Sequence, residues 1–405
     1  FADATGWGDA ILPDYFGGSV ANIPATLLQA FQPGCPLPSE LLPPLRTDLV
    51  DYAALSAADT VVLLIVDGLS YQALQTALTR GFLDQCLYRL TTLTSVFPST
   101  TSAALTSLHH GVAPSQHGLA GYTLFLPAQQ RVVNMVRFKP VDGGAFRRPP
   151  PDPARIAPST SLFTHLSALG IDAEVVSHDA FSTSSLTRLH CGNAPYRSHR
   201  TPTECMALLH HAALQPGRRL VVGYWAGVDM LAHVWGPDSE ETRLEIDLLG
   251  VALRRGLLEP LAASGKRVAF LLTSDHGHCT LQPHRCVSIA GAMRAAGGLI
   301  HPPTGERRAL GLSFRKPALG ERVFRELAGE DGVLLAVEDA IKAGIYGPPP
   351  HHPELRERIG QFILLARGTA SFANADPQER EIAYGAHGSL TSDEMLVPLV
   401  HIDFG

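Results

Sequence analysis

Fixed positive charge is scarce in this chain. Its 405 residues hold 32 Lys and Arg against 38 Asp and Glu, a net charge of −6 with histidine neutral. No basic tract stands out, which argues against a phosphate-backbone binding face and so against a nucleic-acid polymer as partner. Long apolar runs are also missing: none reaches about 18 residues, so no membrane span is expected. Cysteine is sparse, and Cys35, Cys86, Cys191, Cys205, Cys279 and Cys286 are scattered without a C-x-x-C pair. That pattern speaks against a disulfide framework or a thiolate metal site and leaves ordinary buried thiols. An initiating Met is absent too. With Phe1 first, the compartment stays open, and the cytoplasm is favoured over export after removal of an upstream segment.

What is plentiful is apolar content and turn chemistry. Hydrophobic residues make up 45% of the chain and charged residues 17%, with 37 Gly and 31 Pro. This composition predicts a compact, loop-rich protein with ample core for one large domain or two. Thr60–Val66 is apolar or β-branched at every position, as in a parallel strand covered on both faces. A helix over 71–83, a strand over 90–96, a helix over 161–169 and strands over 132–138 and 172–177 continue the alternation. Further on come a helix over 203–214, a strand over 219–225, a long amphipathic helix over 240–258 and a strand over 267–272.

Repeated strand, polar exit and helix predict an α/β fold, a mostly parallel sheet with helices on both faces and its site at the carboxyl ends of the strands. Residues 1–58 read as an arm packed on this core, 59–278 and 385–405 as the core itself, and 279–384 as a smaller inserted subdomain. In that insertion, strands are expected over 309–314 and 362–366 and helices over 321–327 and 338–343. The last core strand is expected over 395–402. The arginines of the turn-rich loop 147–153 are expected to be solvated, and the proline-hemmed His351 and His352 to lie in an exposed loop.

The chemistry-bearing residues sit at the exits. Asp67 follows the first strand directly. Asp229 and His233, four apart, share one face if their segment is helical. Asp275-His276 is an adjacent pair after a buried strand, and His387 lies between Ala386 and Gly388 in a loop whose glycines permit a tight backbone. Ser99-Thr100-Thr101-Ser102 opens a small-residue helix whose N-terminus would favour a phosphate. Three Asp, three His and one hydroxyl give mixed oxygen and imidazole ligation, which suits zinc, with manganese or iron possible. Seven ligands are too many for one tetrahedral ion and about right for two, set roughly 3.5–4 Å apart as in-line phosphoryl displacement uses them.

These motifs, in this order, resemble those of the alkaline phosphatase superfamily, most closely its type I phosphodiesterase/nucleotide pyrophosphatase branch. The resemblance rests on Asp67-Gly68 after a buried strand, FPSTT followed by Gly111-Val-Ala-Pro114 and His117-Gly118, Asp229-x-x-x-His233 with Gly236-Pro237 behind, Asp275-His276-Gly277, and His387-Gly388. It implies that Asp229, His233 and His387 hold one zinc. Asp67, Asp275 and His276 hold the other, together with the nucleophile hydroxyl. Family members often read T-F-P-N, but Val96 occupies the threonine's place and cannot attack. Anchoring on Gly111 and Pro114 places the nucleophile at Thr101, the register that the P-S-x-T of phosphonoacetate hydrolases also gives. Thr100 is the alternative, and Ser99, Thr100 and Ser102 are expected to cap the helix.

The resemblance further implies hydrolysis through a covalent phosphothreonine, with a small phosphorylated or nucleotide substrate. A monoester dianion gains from a cation near the nucleophile, yet residues 91–122 contain no Lys or Arg. Phosphodiesters or nucleotide pyrophosphates are therefore favoured, unless Arg285 or Arg358 of the insertion reaches the site. Tyr122 and His117 are read as structural. Phosphonoacetate hydrolysis and phosphomonoester hydrolysis are the enzymatic alternatives, and a catalytically silent metal or phosphate binder is the non-enzymatic one. No C/S-x-P-x-R pattern marks a sulfatase in the nucleophile region.

Overall fold

The computed structural model describes residues 5–146, 148–374 and 383–405; Arg147, expected to be solvated, lies outside them. Seven strands form the main sheet: β1 (Thr60–Val66), β2 (Arg89–Thr94), β3 (Asp172–His178), β4 (Tyr196–His199), β5 (Arg219–Trp225), β6 (Val268–Thr273) and β7 (Leu396–Phe404). Their spatial order is β2-β7-β6-β1-β5-β3-β4. β1 runs parallel to β5 and β6, and β3 runs parallel to β4 and β5. Only β7 is antiparallel to its neighbours β2 and β6. The fold is thus α/β with a mostly parallel central sheet.

The apolar run of β1 explains why it sits at the centre. All seven residues are buried. Val61, Leu63 and Ile65 enter one apolar cluster, and Val62, Leu64 and Val66 enter the other, so the sheet is covered on both faces. Burying an apolar side chain of this size stabilises the fold by about 1.5–3 kcal/mol, and the one polar member, Thr60 at the strand's start, is buried with its hydroxyl donating to the Ala213 carbonyl at 3.0 Å. Val20, Ile23, Leu27 and Leu55 from the chain's first part belong to the first of these clusters and are almost solvent-free. That stretch is built into the core.

A second sheet of four antiparallel strands uses Thr304–Glu306, Ala309–Leu312, Gly332–Ala336 and Phe362–Ala366. A fully buried ion pair between Arg308 and Glu394, at 2.6 Å, joins it to the start of β7. Arg308 also donates to the carbonyl of Gly368 at 2.8 Å.

Several elements depart from expectation. The long helix is α-helical only over Glu240–Leu253 and continues through a π turn, Arg254–Leu258. The strand expected over 132–138 shortens to Arg131–Asn134 in a separate small sheet. No helix among the described residues is long and apolar enough to cross a membrane. Cys35, Cys86, Cys191, Cys205 and Cys279 are free thiols, and Cys35 is exposed rather than buried.

Candidate metal centre

Three neighbouring strands end at one level, since Val66 pairs with Trp225 and Ile65 with Thr273. Whatever follows each strand must therefore meet the others. Asp67 follows β1; its amide donates to the Trp225 carbonyl at 2.8 Å, and its carbonyl accepts the Asp229 amide at 3.1 Å. Gly68 has φ +76°, and a Cβ there would lie 2.8 Å from Asp229 Cα. Only glycine lets the two acidic turns approach so closely. Asp229 and His233 ride on α2 (Gly227–Trp235), which begins just past β5, and Asp275 and His276 follow β6. Thr101 is the first residue of α1 (Thr101–His110).

The sequence-predicted residues converge as two adjacent sets, joined where the rings of His276 and His387 stack at 3.8 Å. A tetrahedral ion with bonds of about 2.0–2.1 Å places neighbouring donor atoms about 3.3 Å apart. In the first set, His276 Nε2 lies 3.5 Å from Asp67 Oδ1, 3.4 Å from Asp275 Oδ2 and 3.2 Å from Thr101 Oγ1. In the second, His233 Nε2 lies 3.2 Å from His387 Nε2 and 3.5 Å from Asp229 Oδ1, and His387 Nε2 lies 3.7 Å from that same oxygen.

The histidine tautomers agree with this geometry. Nδ1 of His387 donates to the Ser99 carbonyl at 2.8 Å, that of His233 to Gly385 at 3.2 Å, and that of His276 to Gly277 at 3.1 Å. Each carbonyl holds the ring proton on Nδ1 and leaves Nε2 with a lone pair facing inward, the arrangement metal-binding histidines use.

The charge balance points the same way. Asp67 Oδ1 and Asp275 Oδ2 are buried without a hydrogen-bond partner. Burial, then the neighbouring Asp275 and Asp229, push the Asp67 carboxyl well above the usual range. Burial likewise raises Asp275. Burial also opposes the charge on Asp229, but the bond from His278 and the surrounding imidazoles outweigh it and hold that group below the ordinary range. Crowded carboxylates with orphaned oxygens are costly unless a cation joins them. The residues present therefore fit metal ions. Tyr224 adds a hydroxyl hydrogen bond to Asp67 Oδ2.

The hydroxyl cluster does not cap its helix as expected. No side chain caps α1. Ser99 Oγ donates to the Ser389 carbonyl at 2.9 Å and accepts the Gly388 amide at 3.1 Å, fixing the His387 loop. Ser102 Oγ donates to Gly121 at 2.9 Å. The hydroxyls tie loops together, and the helix N-terminus stays free of side-chain acceptors beside Thr101.

Two residues near the centre went unnoticed in the sequence. His278 Nε2 lies 2.7 Å from Asp229 Oδ1. Its only sequence signal was its place directly after Asp275-His276-Gly277. Glu306, from the second sheet, is buried 3.5 Å from His387 Nδ1, and burial pushes its carboxyl up to about 8. Nothing local in the sequence marks it.

Other candidates are engaged elsewhere. Arg358 pairs with Glu354 and donates to the carbonyls of Gly118 and Ile156, while Arg285 pairs with Asp331. His352 is not in an exposed loop: it is 7% exposed, and its amide donates to Ser115 at 2.6 Å. His117 is buried and bonded to Ser107 at 3.1 Å.

Beside Thr101 opens a pocket lined by Leu105, Val136, Val175, Phe181, Leu186, Tyr196 and Tyr224, with His109 and His190 at 4.6 Å in a stacked pair on its wall. No Lys or Arg is among its lining residues.

No curated protein matches the chain. Among solved structures, human ectonucleotide pyrophosphatase/phosphodiesterase 5 superposes with a TM-score of 0.62 at 15% identity, covering 84% of this chain and 87% of that one. An inactive murine form in complex with AMP gives 0.61 at 15% identity, with the same 84% and 87% coverage. Phosphonoacetate hydrolase from Sinorhizobium meliloti, in complex with phosphonoformate, gives 0.59 at 16% identity, covering 84% and 89%. At these identities the likeness shows the fold of the alkaline phosphatase superfamily. The profile of the family described as type I phosphodiesterase / nucleotide pyrophosphatase matches residues 61–390, and the chain belongs to that family.

Proposed function

We propose that this protein is a two-metal phosphoesterase that hydrolyses phosphodiester or nucleotide pyrophosphate bonds through a phosphothreonine at Thr101. The observation that carries the reading is the position of Thr101 Oγ1, 3.2 Å from His276 Nε2, beside the buried carboxylates whose oxygens lack partners. Asp67, Asp275 and His276, with Thr101, would hold one ion, and Asp229, His233 and His387 the other; mixed oxygen and imidazole donors suit zinc. Bound there, the ions neutralise the carboxylates, favour the alkoxide of Thr101 and stabilise charge on the leaving oxygen.

The chain's own residues supply the rest. Thr101 Oγ forms a bond to phosphorus in line as the bond to the leaving oxygen breaks, and water then cleaves the Oγ–P bond and restores the threonine. Two in-line steps retain configuration at phosphorus. The N-terminus of α1, uncapped by any side chain, directs its dipole at the phosphoryl oxygens. The apolar pocket beside Thr101 takes an uncharged or aromatic portion of the ester.

Arg285 and Arg358 are held by other partners, and residues 91–122 carry no Lys or Arg, which supports the singly charged diester over the dianionic monoester. A phosphonoacetate carboxylate would find no Lys or Arg along the pocket lining, which weighs against that substrate. The reading is tested by kcat/KM of zinc-loaded protein for a nucleotide diester, a nucleotide monoester and phosphonoacetate. The diester should lead, and preference for either of the others would overturn it.

A further inference from the structure

His278 is not one of the metal-holding residues assigned above, yet it sits against them. Its side chain is fully buried, and its Nε2 lies 2.7 Å from Asp229 Oδ1. That separation is shorter than the 3.2–3.7 Å spacings among His233, His387 and Asp229. It is a hydrogen-bond distance, below the roughly 3.3 Å expected between two donors on one tetrahedral ion. His278 Nδ1 is buried and has no partner among the described residues. A neutral ring with one partnered nitrogen, and that partner a carboxylate, places its proton on Nε2. This is the reverse of His233, His276 and His387, whose Nδ1 atoms face carbonyls. The ring is also fixed in place. It stands edge-on to His233 at 4.6 Å and 82° and to His387 at 5.0 Å and 81°. A Cβ on Gly68 would lie 3.0 Å from its Cδ2.

We propose that His278 is a positioning residue for the Asp229 ion: it donates Nε2–H to Asp229 Oδ1 and sets the orientation of that carboxylate without binding the ion itself. The proposal rests on the two-metal reading above. The alternative, His278 as a fourth protein ligand, would close the position that a catalytic ion keeps for substrate or water. A hydrogen-bonding partner of a metal ligand contributes 10–100-fold to metal affinity.

The test uses zinc titration of the chelator-stripped 405-residue chain by competition with a coloured chelator, together with X-ray absorption of the loaded protein. Wild type, His278→Leu and His278→Gln are compared. Leu removes the donor and keeps bulk; Gln keeps an N–H. Wild type should bind two zinc ions. His278→Leu should bind one of them about 10–100-fold more weakly and the other unchanged, with the number of imidazoles per zinc unaltered at saturation. His278→Gln should recover affinity to within about threefold of wild type. Unchanged affinity in His278→Leu, equal weakening in His278→Gln, or loss of an imidazole from the zinc shell in either variant would overturn the proposal. Failure of wild type to bind two ions would instead overturn the two-metal reading, so the two failures are distinguishable.

Discussion

The carboxylate of Glu394 and the trio Asp67, Asp229 and Asp275 are both withdrawn from solvent, Asp229 least so, and they are finished differently. Glu394 is met by Arg308 at 3.0 and 2.6 Å and also accepts from the Ser389 amide at 2.9 Å. Arg308 also donates to the carbonyls of Gly368 and Ala370. Asp67, Asp229 and Asp275 face one another and the Nε2 atoms of His233, His276 and His387, whose ring protons are turned away on Nδ1, and two of the carboxylate oxygens have no partner. The first group is neutralised from within the chain and joins the second sheet to β7. The second is short of positive charge that the chain does not supply. A buried charge closed by its own partner serves architecture, and one left open marks a place where a cation belongs.

The sharpest way to separate the two regions begins with the hydroxyl at the open one. Thr101→Ala should lower kcat/KM for a nucleotide diester by about 10⁴-fold or more while both zinc ions stay bound, as metal analysis would show. Activity retained in Thr101→Ala and lost in Thr100→Ala would move the nucleophile by one residue. At the closed joint the effect should be on stability. Glu394→Gln leaves Arg308 buried and uncompensated and should cost about 3–5 kcal/mol in denaturant unfolding, with zinc stoichiometry unchanged.

Asp275→Asn should do the opposite of Glu394→Gln in metal-free protein. It relieves like-charge crowding and should raise the unfolding midpoint, while zinc affinity at one site falls at least about 100-fold. A fall in metal-free stability would mean that the carboxylates are already satisfied.

A smaller effect concerns buried bases. His109 and His110 are held neutral by burial, their pKa pushed down to about 4. The unfolded chain takes up these protons near pH 6.5, so between about 6.5 and 4 it binds more protons than the fold. This contribution to stability is complete above about 6.5 and lost as pH falls through that window, on the order of 1–3 kcal/mol per ring. His109→Gln should flatten the pH dependence of the urea midpoint over that range.

The parts of this account that were legible in the sequence are those set by local pattern. β1 and β5 can be read to the residue because a strand buried on both faces must be apolar through its middle, and the acidic residue just past it marks the exit. Asp67, Asp229 and Asp275 stood out for that reason. The contacts that bring Glu306 beside His387, or His278 beside Asp229, depend on two turns meeting in space, and no periodicity encodes them. Ser99 looked like a helix cap because cap and loop tie use the same hydroxyl; the deciding partner, Ser389, lies 290 residues away. His352 looked exposed because its proline-rich surroundings suit a surface loop, yet that loop is pressed against Ser115.

The central claim is that Thr101 forms a covalent bond to phosphorus. Hydrolysis of a diester carrying a chiral phosphorothioate in isotopically labelled water tests it most directly. The account predicts net retention of configuration, from two successive inversions at Thr101 and at water; net inversion would show a single direct attack by water and contradict it.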